Sequence, residues 1–356
     1  MSLLKSFKTF LDESIEDLYF DDDLKEATQD DPNTEGGVSN NTKGVLHEIL
    51  TGKHLNGGTH MKKHVNELGE TPEQAHDRLK SQIHPKDYEK LDAAAKAAAE
   101  HIKEHINSTH PGHEIHSVIH TSKPGDTKKV TGVNASQKED SSDIYVSTKH
   151  PETGEITHHG VSLKVSSNAK SKIPSSSLGA KFSGEHATPL YKEHQEKIKG
   201  MFPELSTASN KEARKALQKA NPIMGHAIKE HNKALLHKIA HSHAAELQYN
   251  LDSGNHAKTI SHIRTVLHAH QTPAQEAGHN FFKHTTYQTK SGTQHKSSDP
   301  GTDFEHILND HKNITVKSGG GSVNFYHKGK KFASQAHKFD SQSDPLSPIK
   351  SAGTEV

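Results

Sequence analysis

Apolar residues recur at helical spacing over 44–55, where Val45, Leu46, Ile49 and Leu50 share a face and Glu48 stands among them. This predicts a helix that continues towards residue 68. Thr71-Pro72-Glu73 opens a second helix, with Thr71 as N-cap and Pro72 at the first position. A third follows His84-Pro85 and runs on alanine propensity to about Ile106. The pattern then changes to short apolar-rich runs: EIHSVIHTS (114–122), DIYV (143–146) and GVSLKV (160–165). Pro151-Glu152-Thr153-Gly154-Glu155 supplies turn chemistry between the last two, which predicts a hairpin with Asp143 on one strand and Lys164 on the next. From about 188 to 270 the spacing is helical again, and the final 80 or so residues are β-rich, with turns at the glycines 319–321 and at Lys328-Gly329. The expected fold is mixed α/β (α+β): a small mixed central sheet flanked by helices, with a helical insertion and a β-rich C-terminal part.

Within the hairpin, Ser162 and Lys164 fall on one strand face by alternation, and Asp143 precedes them. An aspartate on one strand followed by x-Lys on the next resembles the PD-(D/E)XK nuclease superfamily over about residues 40–200. The order helix, strand, strand with Asp143, strand with Lys164, then helix resembles that superfamily's αβββαβ core. The resemblance implies a metal-dependent endonuclease in which Asp143 and an acidic residue on the preceding helix, here Glu48, hold Mg²⁺, or Mn²⁺, while Lys164 orients the attacking water. The chain departs from the pattern where the second strand should carry its acid. Ser162 stands there, and a hydroxyl or its backbone carbonyl offers only a neutral oxygen. Glu155 lies too far back along the strand to replace it, about 23 Å at roughly 3.3 Å per residue. A surface hairpin with a solvated lysine gives the same spacing.

The N-terminus reads MSLLKSFKTFLDE, with Leu3, Leu4, Phe7, Phe10 and Leu11 on one helical face and Lys5 and Lys8 on the other. It has no continuous apolar segment or cleavage site of a secretory signal. It resembles the capsid-targeting peptide of internal head proteins in contractile-tailed phages. That resemblance implies processing after Glu13 or Glu26, capsid or scaffold partners, and a place in the virion interior or the host cytoplasm. An amphipathic helix docking on its own core would read the same way.

Composition adds constraints. Hydrophobic residues make up 29% of the 356, below the usual globular share, so long polar excursions are expected. There is no cysteine, which excludes disulfides and thiolate metal sites. No apolar run approaches bilayer-spanning length. Net charge is zero, yet residues 1–36 hold three lysines against eleven acids, so the remainder is basic. An acidic leader before a basic body can mask a phosphate-binding surface, or simply keep the chain soluble. DNA is the expected partner, with Lys170, Lys172 and Lys181 after the hairpin, and Lys328, Lys330 and Lys331 beside Phe325, Tyr326 and Phe332, as contacts. No fingerprint for an organic cofactor is present.

Histidine is the outlier at 33 residues. Pairs at i, i+4 occur at His60/His64, His101/His105 and His237/His241, and His110, His113, His116 and His120 extend the middle group. Their spread along the chain favours diffuse surface histidine over one metal cluster. The domain reading is a leader (1–13), an acidic linker (14–43), a nuclease-like α/β domain (44–340) with its insertion at about 188–270, and a disordered tail (341–356). The expected function is Mg²⁺-dependent hydrolysis of phosphodiester bonds in DNA by a phage-encoded protein. The alternatives are a non-enzymatic internal head or structural protein with a nucleic-acid-binding surface, and a histidine-dependent metal-binding or pH-responsive packing protein.

Overall fold

A computed structural model describes residues 40–61, 66, 68–121, 125–135, 140–166, 173–178, 183–270, 272–289, 292–339, 341, 344 and 346–356. It is a mixed α/β structure with two five-stranded sheets. The described residues divide into two compact units, one within 40–174 and 268–306, the other within 175–267 and 307–356.

In the first unit, helices α1 (Asn40–Leu55), α2 (Pro72–Lys80) and α3 (Pro85–Thr109) precede strands β1 (Glu114–His120), β2 (Ile144–Lys149) and β3 (Ile156–Ser166). Thr71 caps α2 through a reciprocal capping box with Gln74, as its Thr-Pro signature requires. Leu46, Ile49 and Leu50 of α1 pack on Ala75, Leu79 and Ile83 around α2 and on Ala95 of α3. The alanines of α3 bring its backbone close to its neighbours, and Gly52 of α1 leaves room for the Met61 thioether, which an added Cβ would meet at 2.3 Å. The chain passes through β4 (Ile173–Leu178) and the other unit before returning as β5 (Asn280–Thr289) and β6 (Gly292–Ser298). The sheet order is β1-β2-β3-β5-β6. The β1–β2, β2–β3 and β5–β6 pairs are antiparallel, and β3–β5 is parallel. Val118, Ile144, Val146, Val161, Leu163 and Phe282 form a core with Leu55, Ile102 and Ile106.

The second unit contains α4 (Ala187–Met201), α5 (Lys211–Ala220), α6 (Pro222–Asp252), α7 (His256–Leu267) and strands β7 (Ile314–Gly319), β8 (Ser322–His327), β9 (Lys330–Phe339) and β10 (Ile349–Glu355). Its sheet runs β4-β10-β9-β8-β7. The turn at Lys328-Gly329 has φ of +50° and +79°, the two left-handed central residues of a type I′ hairpin.

Three expectations change. The span 44–340 is not one compact body, because the helical excursion and the C-terminal strands pack on each other, and no shift in composition marks where the chain crosses between units. The tail is not disordered from 341: Ile349–Glu355 pairs along its whole length with β9, burying Ile349, Ser351, Gly353 and Glu355. Small and polar residues hide that alternation in the sequence, while Arg214 anchors Asp344 through two bonds of 2.8 and 2.9 Å. Nor is histidine confined to the surface, since His47, His76, His120, His159, His194, His243, His284 and His337 are buried.

Candidate functional site at the start of β2

Asp143 sits at the entrance to β2. Ile144 is the partner of Val161, and the Asp143 N–H donates to the Val161 carbonyl at 2.9 Å. Asp143 is thereby tied to β3 through its backbone as well as its side chain. Three donors of β3 converge on its Oδ2 atom: the Leu163 N–H at 2.6 Å, Lys164 Nζ at 3.0 Å and the Ser162 hydroxyl at 3.3 Å. The start of β2 is braced as well, because Asp140 accepts from the N–H and hydroxyl of Ser142 at 3.0 and 2.6 Å and from the buried Tyr145 hydroxyl.

Glu48 reaches the same region from α1, and His120 at the end of β1 donates to its Oε2 at 3.2 Å. Burial raises the Glu48 pKa, the Asp143 charge raises it further, and His120 and Lys164 oppose both. Glu48 and Asp143 therefore share one electrostatic neighbourhood. Asp143, Ser162, Lys164 and Glu48 are brought together, and His120 joins them although no pattern in the sequence assigns it there.

Two further groups were not legible. Lys283 of β5 is the sheet partner of Ser162 and is 2% exposed. His268, at φ +55°, is held neutral down to about pH 4 by burial and by the charges of Lys283, His270 and Lys164. Both arrive through the parallel β3–β5 pairing, and no local pattern foretells which distant strand will add to an edge.

The donor chemistry suits a hard cation. The three donors on Asp143 all take Oδ2 and His120 takes Glu48 Oε2, so these bonds engage neither Asp143 Oδ1 nor Glu48 Oε1. Two carboxylates in one electrostatic neighbourhood, with the Asp143 charge among the causes that raise Glu48, match the sparse ligand set of Mg²⁺. Among the described residues, no three His, Asp or Glu side chains stand at coordinating distance from one point.

The remaining expected contacts lie elsewhere. Glu13, Glu26, Lys170, Lys172 and Lys181 fall outside the described residues. Lys328, Lys330 and Lys331 surround the β8–β9 turn of the second unit, where Lys328 pairs with Asp310 at 2.9 Å. Phe325 and Phe332 are buried in that unit's core, so they offer no stacking face to a base. No helix among the described residues is long and apolar enough to cross a membrane. No family model matches the chain, no curated protein matches its sequence, and no solved structure matches its fold.

Proposed function

We propose that the first unit is a Mg²⁺-dependent phosphodiesterase acting on DNA, with Asp143, Lys164 and Glu48 as its working residues. The observation that carries the reading is the contact of Lys164 Nζ with the Asp143 carboxylate at 3.0 Å beside the raised Glu48. The three-strand meander that follows the helices, with β5 added parallel to β3, supports it, since this strand order is compatible with the αβββαβ core that the hairpin motif resembles. Asp143 and Glu48 would hold the ion, which when bound supplies positive charge to the phosphoryl oxygens and lowers the pKa of a coordinated water. Lys164, fixed by Asp143, stands where it can orient that water and balance charge on the phosphate. Ser162 contributes a neutral oxygen in place of a carboxylate, and the adjacent Lys283 adds positive charge for the scissile phosphate. The leader and its resemblance extend the proposal to a phage protein carried in the virion.

Incubating the full chain with supercoiled DNA and Mg²⁺ or Mn²⁺ tests this. Cleavage should require the ion and fall by several orders of magnitude in Asp143→Ala and Lys164→Ala, with DNA binding retained. DNA binding without cleavage in the native chain would favour the non-enzymatic head-protein reading, to which Ser162 already points.

A further inference from the structure

Between α1, α3 and the β5–β6 hairpin of the first unit lies a group of histidines with no part in the phosphodiesterase reading. His101 of α3, His284 of β5 and His295 of β6 have ring centroids 5.2, 5.4 and 5.7 Å apart. Each carries a buried ring nitrogen without a hydrogen-bond partner among the described residues: Nδ1 of His101, Nε2 of His284 and Nε2 of His295. His47 of α1, 1% exposed, lies in electrostatic contact with His284 and His295, and neither of its nitrogens has such a partner. Two buried and two half-buried imidazoles, each with an orphaned buried nitrogen, are expensive unless something satisfies them.

The opposite nitrogens of two of these rings are already engaged. His284 Nδ1 meets the Ser297 hydroxyl at 3.0 Å and His295 Nδ1 meets the Thr286 hydroxyl at 3.1 Å. When Nδ1 donates to such a hydroxyl, Nε2 is left as a bare lone pair turned inward, the outer-shell arrangement that metal-bound histidines use. Two of the three separations fit as well, and the third, at 5.7 Å, is slightly longer. With Zn–N bonds of about 2.0–2.1 Å, each ring centroid stands roughly 3.2 Å from the ion, so two ligands at tetrahedral to trigonal angles have centroids about 5.2–5.5 Å apart. The nitrogens themselves do not converge on one point, but the ring positions suit one. Closure on an ion therefore requires the rings to rotate from these positions.

We propose that His101, His284 and His295, with His47 as fourth ligand, form a binding site for a borderline-soft divalent ion such as Zn²⁺, independent of the Mg²⁺ site and excluding Mg²⁺ by its all-nitrogen ligand set. Such an ion ties α1 and α3 to β5 and β6. It thereby fixes the helix that carries Glu48, one residue from His47.

The test uses the full chain without an affinity tag, stripped by a chelator and titrated with Zn²⁺ and Co²⁺ against a chromophoric competitor that masks weak surface pairs. One tight ion per chain is expected, with a visible Co²⁺ band. His101→Gln, at a half-buried position, should weaken that ion by more than about a hundredfold, and Ser297→Ala and Thr286→Val by about 10- to 100-fold through the outer shell. Absence of a tight site, or a tight site unchanged in folded His101→Gln and Ser297→Ala, overturns the proposal. Should the variants misfold, anomalous diffraction at the zinc edge from native crystals decides: a peak among the four rings supports the site, and a peak elsewhere, or water alone on these nitrogens, overturns it.

Discussion

Lys164 donates to Asp143 Oδ2 across 3.0 Å from the neighbouring strand, and the carboxylate oxygen that receives it also takes the Leu163 N–H. The aspartate is thus fixed through one oxygen while its other oxygen is kept out of these bonds. The lysine is held by a partner that is only partly buried, so the pair serves orientation more than stability.

Ser162→Asp is expected to separate metal binding from folding. Position 162 is 3% exposed and its side chain lies 3.3 Å from Asp143, so a second carboxylate there places like charges in contact. Without divalent ions the variant should lose roughly 3 kcal/mol of stability or more. Mg²⁺ should restore much of it and bind more tightly than to the native chain. Thermal melts in chelator and in millimolar Mg²⁺ measure both effects, and a variant equally stable in the two would contradict the site.

Glu48 sets a pH dependence for the ion. Its raised pKa means that the proton stays on to higher pH than on an ordinary glutamate, and Mg²⁺ must displace it. Apparent Mg²⁺ affinity should therefore fall as pH drops through that raised value, by up to about tenfold per pH unit. Glu48→Gln should bind the ion more weakly and lose this slope. Calorimetric titration between pH 5 and 8 reads it.

Gly160→Ala should act on the site without touching it. A Cβ there would come within 2.2 Å of Ser142 Oγ and 3.2 Å of Tyr145 Cζ, so Ser142 must shift, and Asp143 is the next residue. Overpacking should cost about 1–3 kcal/mol. Displacement of Asp143 should also lower turnover by up to about a hundredfold. Kinetics at temperatures well below the melting midpoint distinguish this from simple unfolding.

Acid should destabilise the protein well above the usual carboxylate range. Burial first, and neighbouring histidines second, hold His159 near a pKa of about 3, His243 near 2 and His337 near 4. In the unfolded chain each takes a proton near 6.5. Stability is then complete above that value and declines as pH falls below it, because the unfolded state binds protons that the folded state refuses. Each histidine contributes about 1.4 kcal/mol per pH unit. The melting midpoint should drop steeply from pH 6.5 to 5, and His159→Asn, if it folds, should flatten the slope.

What the sequence disclosed, and what it hid, follows physical lines. Thr71-Pro72 and Lys328-Gly329 are local devices, and both do as their chemistry dictates. Asp143, Lys164 and Glu48 could be placed near one another because a short hairpin and the helix before it are nearly local. Lys283 and His268 could not, since their approach depends on a parallel pairing across residues 167–279. The β10 strand escaped notice because Ser351 and Gly353 point inward without apolar signal. The buried histidines were misplaced for a related reason: an imidazole reads as polar in a pattern, yet once neutral and hydrogen-bonded it fills a core position.

The parallel β3–β5 pairing also bears on how the molecule comes into being. Until β5 is made, β3 has an open edge, so Ser162 and Lys164 border on unpaired backbone while residues 167–279 leave the ribosome. Contacts of such long sequence separation form slowly, and an open edge is a template for mispairing. The half of the sheet that carries Lys164 is therefore the last part of the first unit to close. A truncated or stalled chain would carry Asp143 and Lys164 without Lys283 beside them, an incomplete site on a strand edge prone to aggregate.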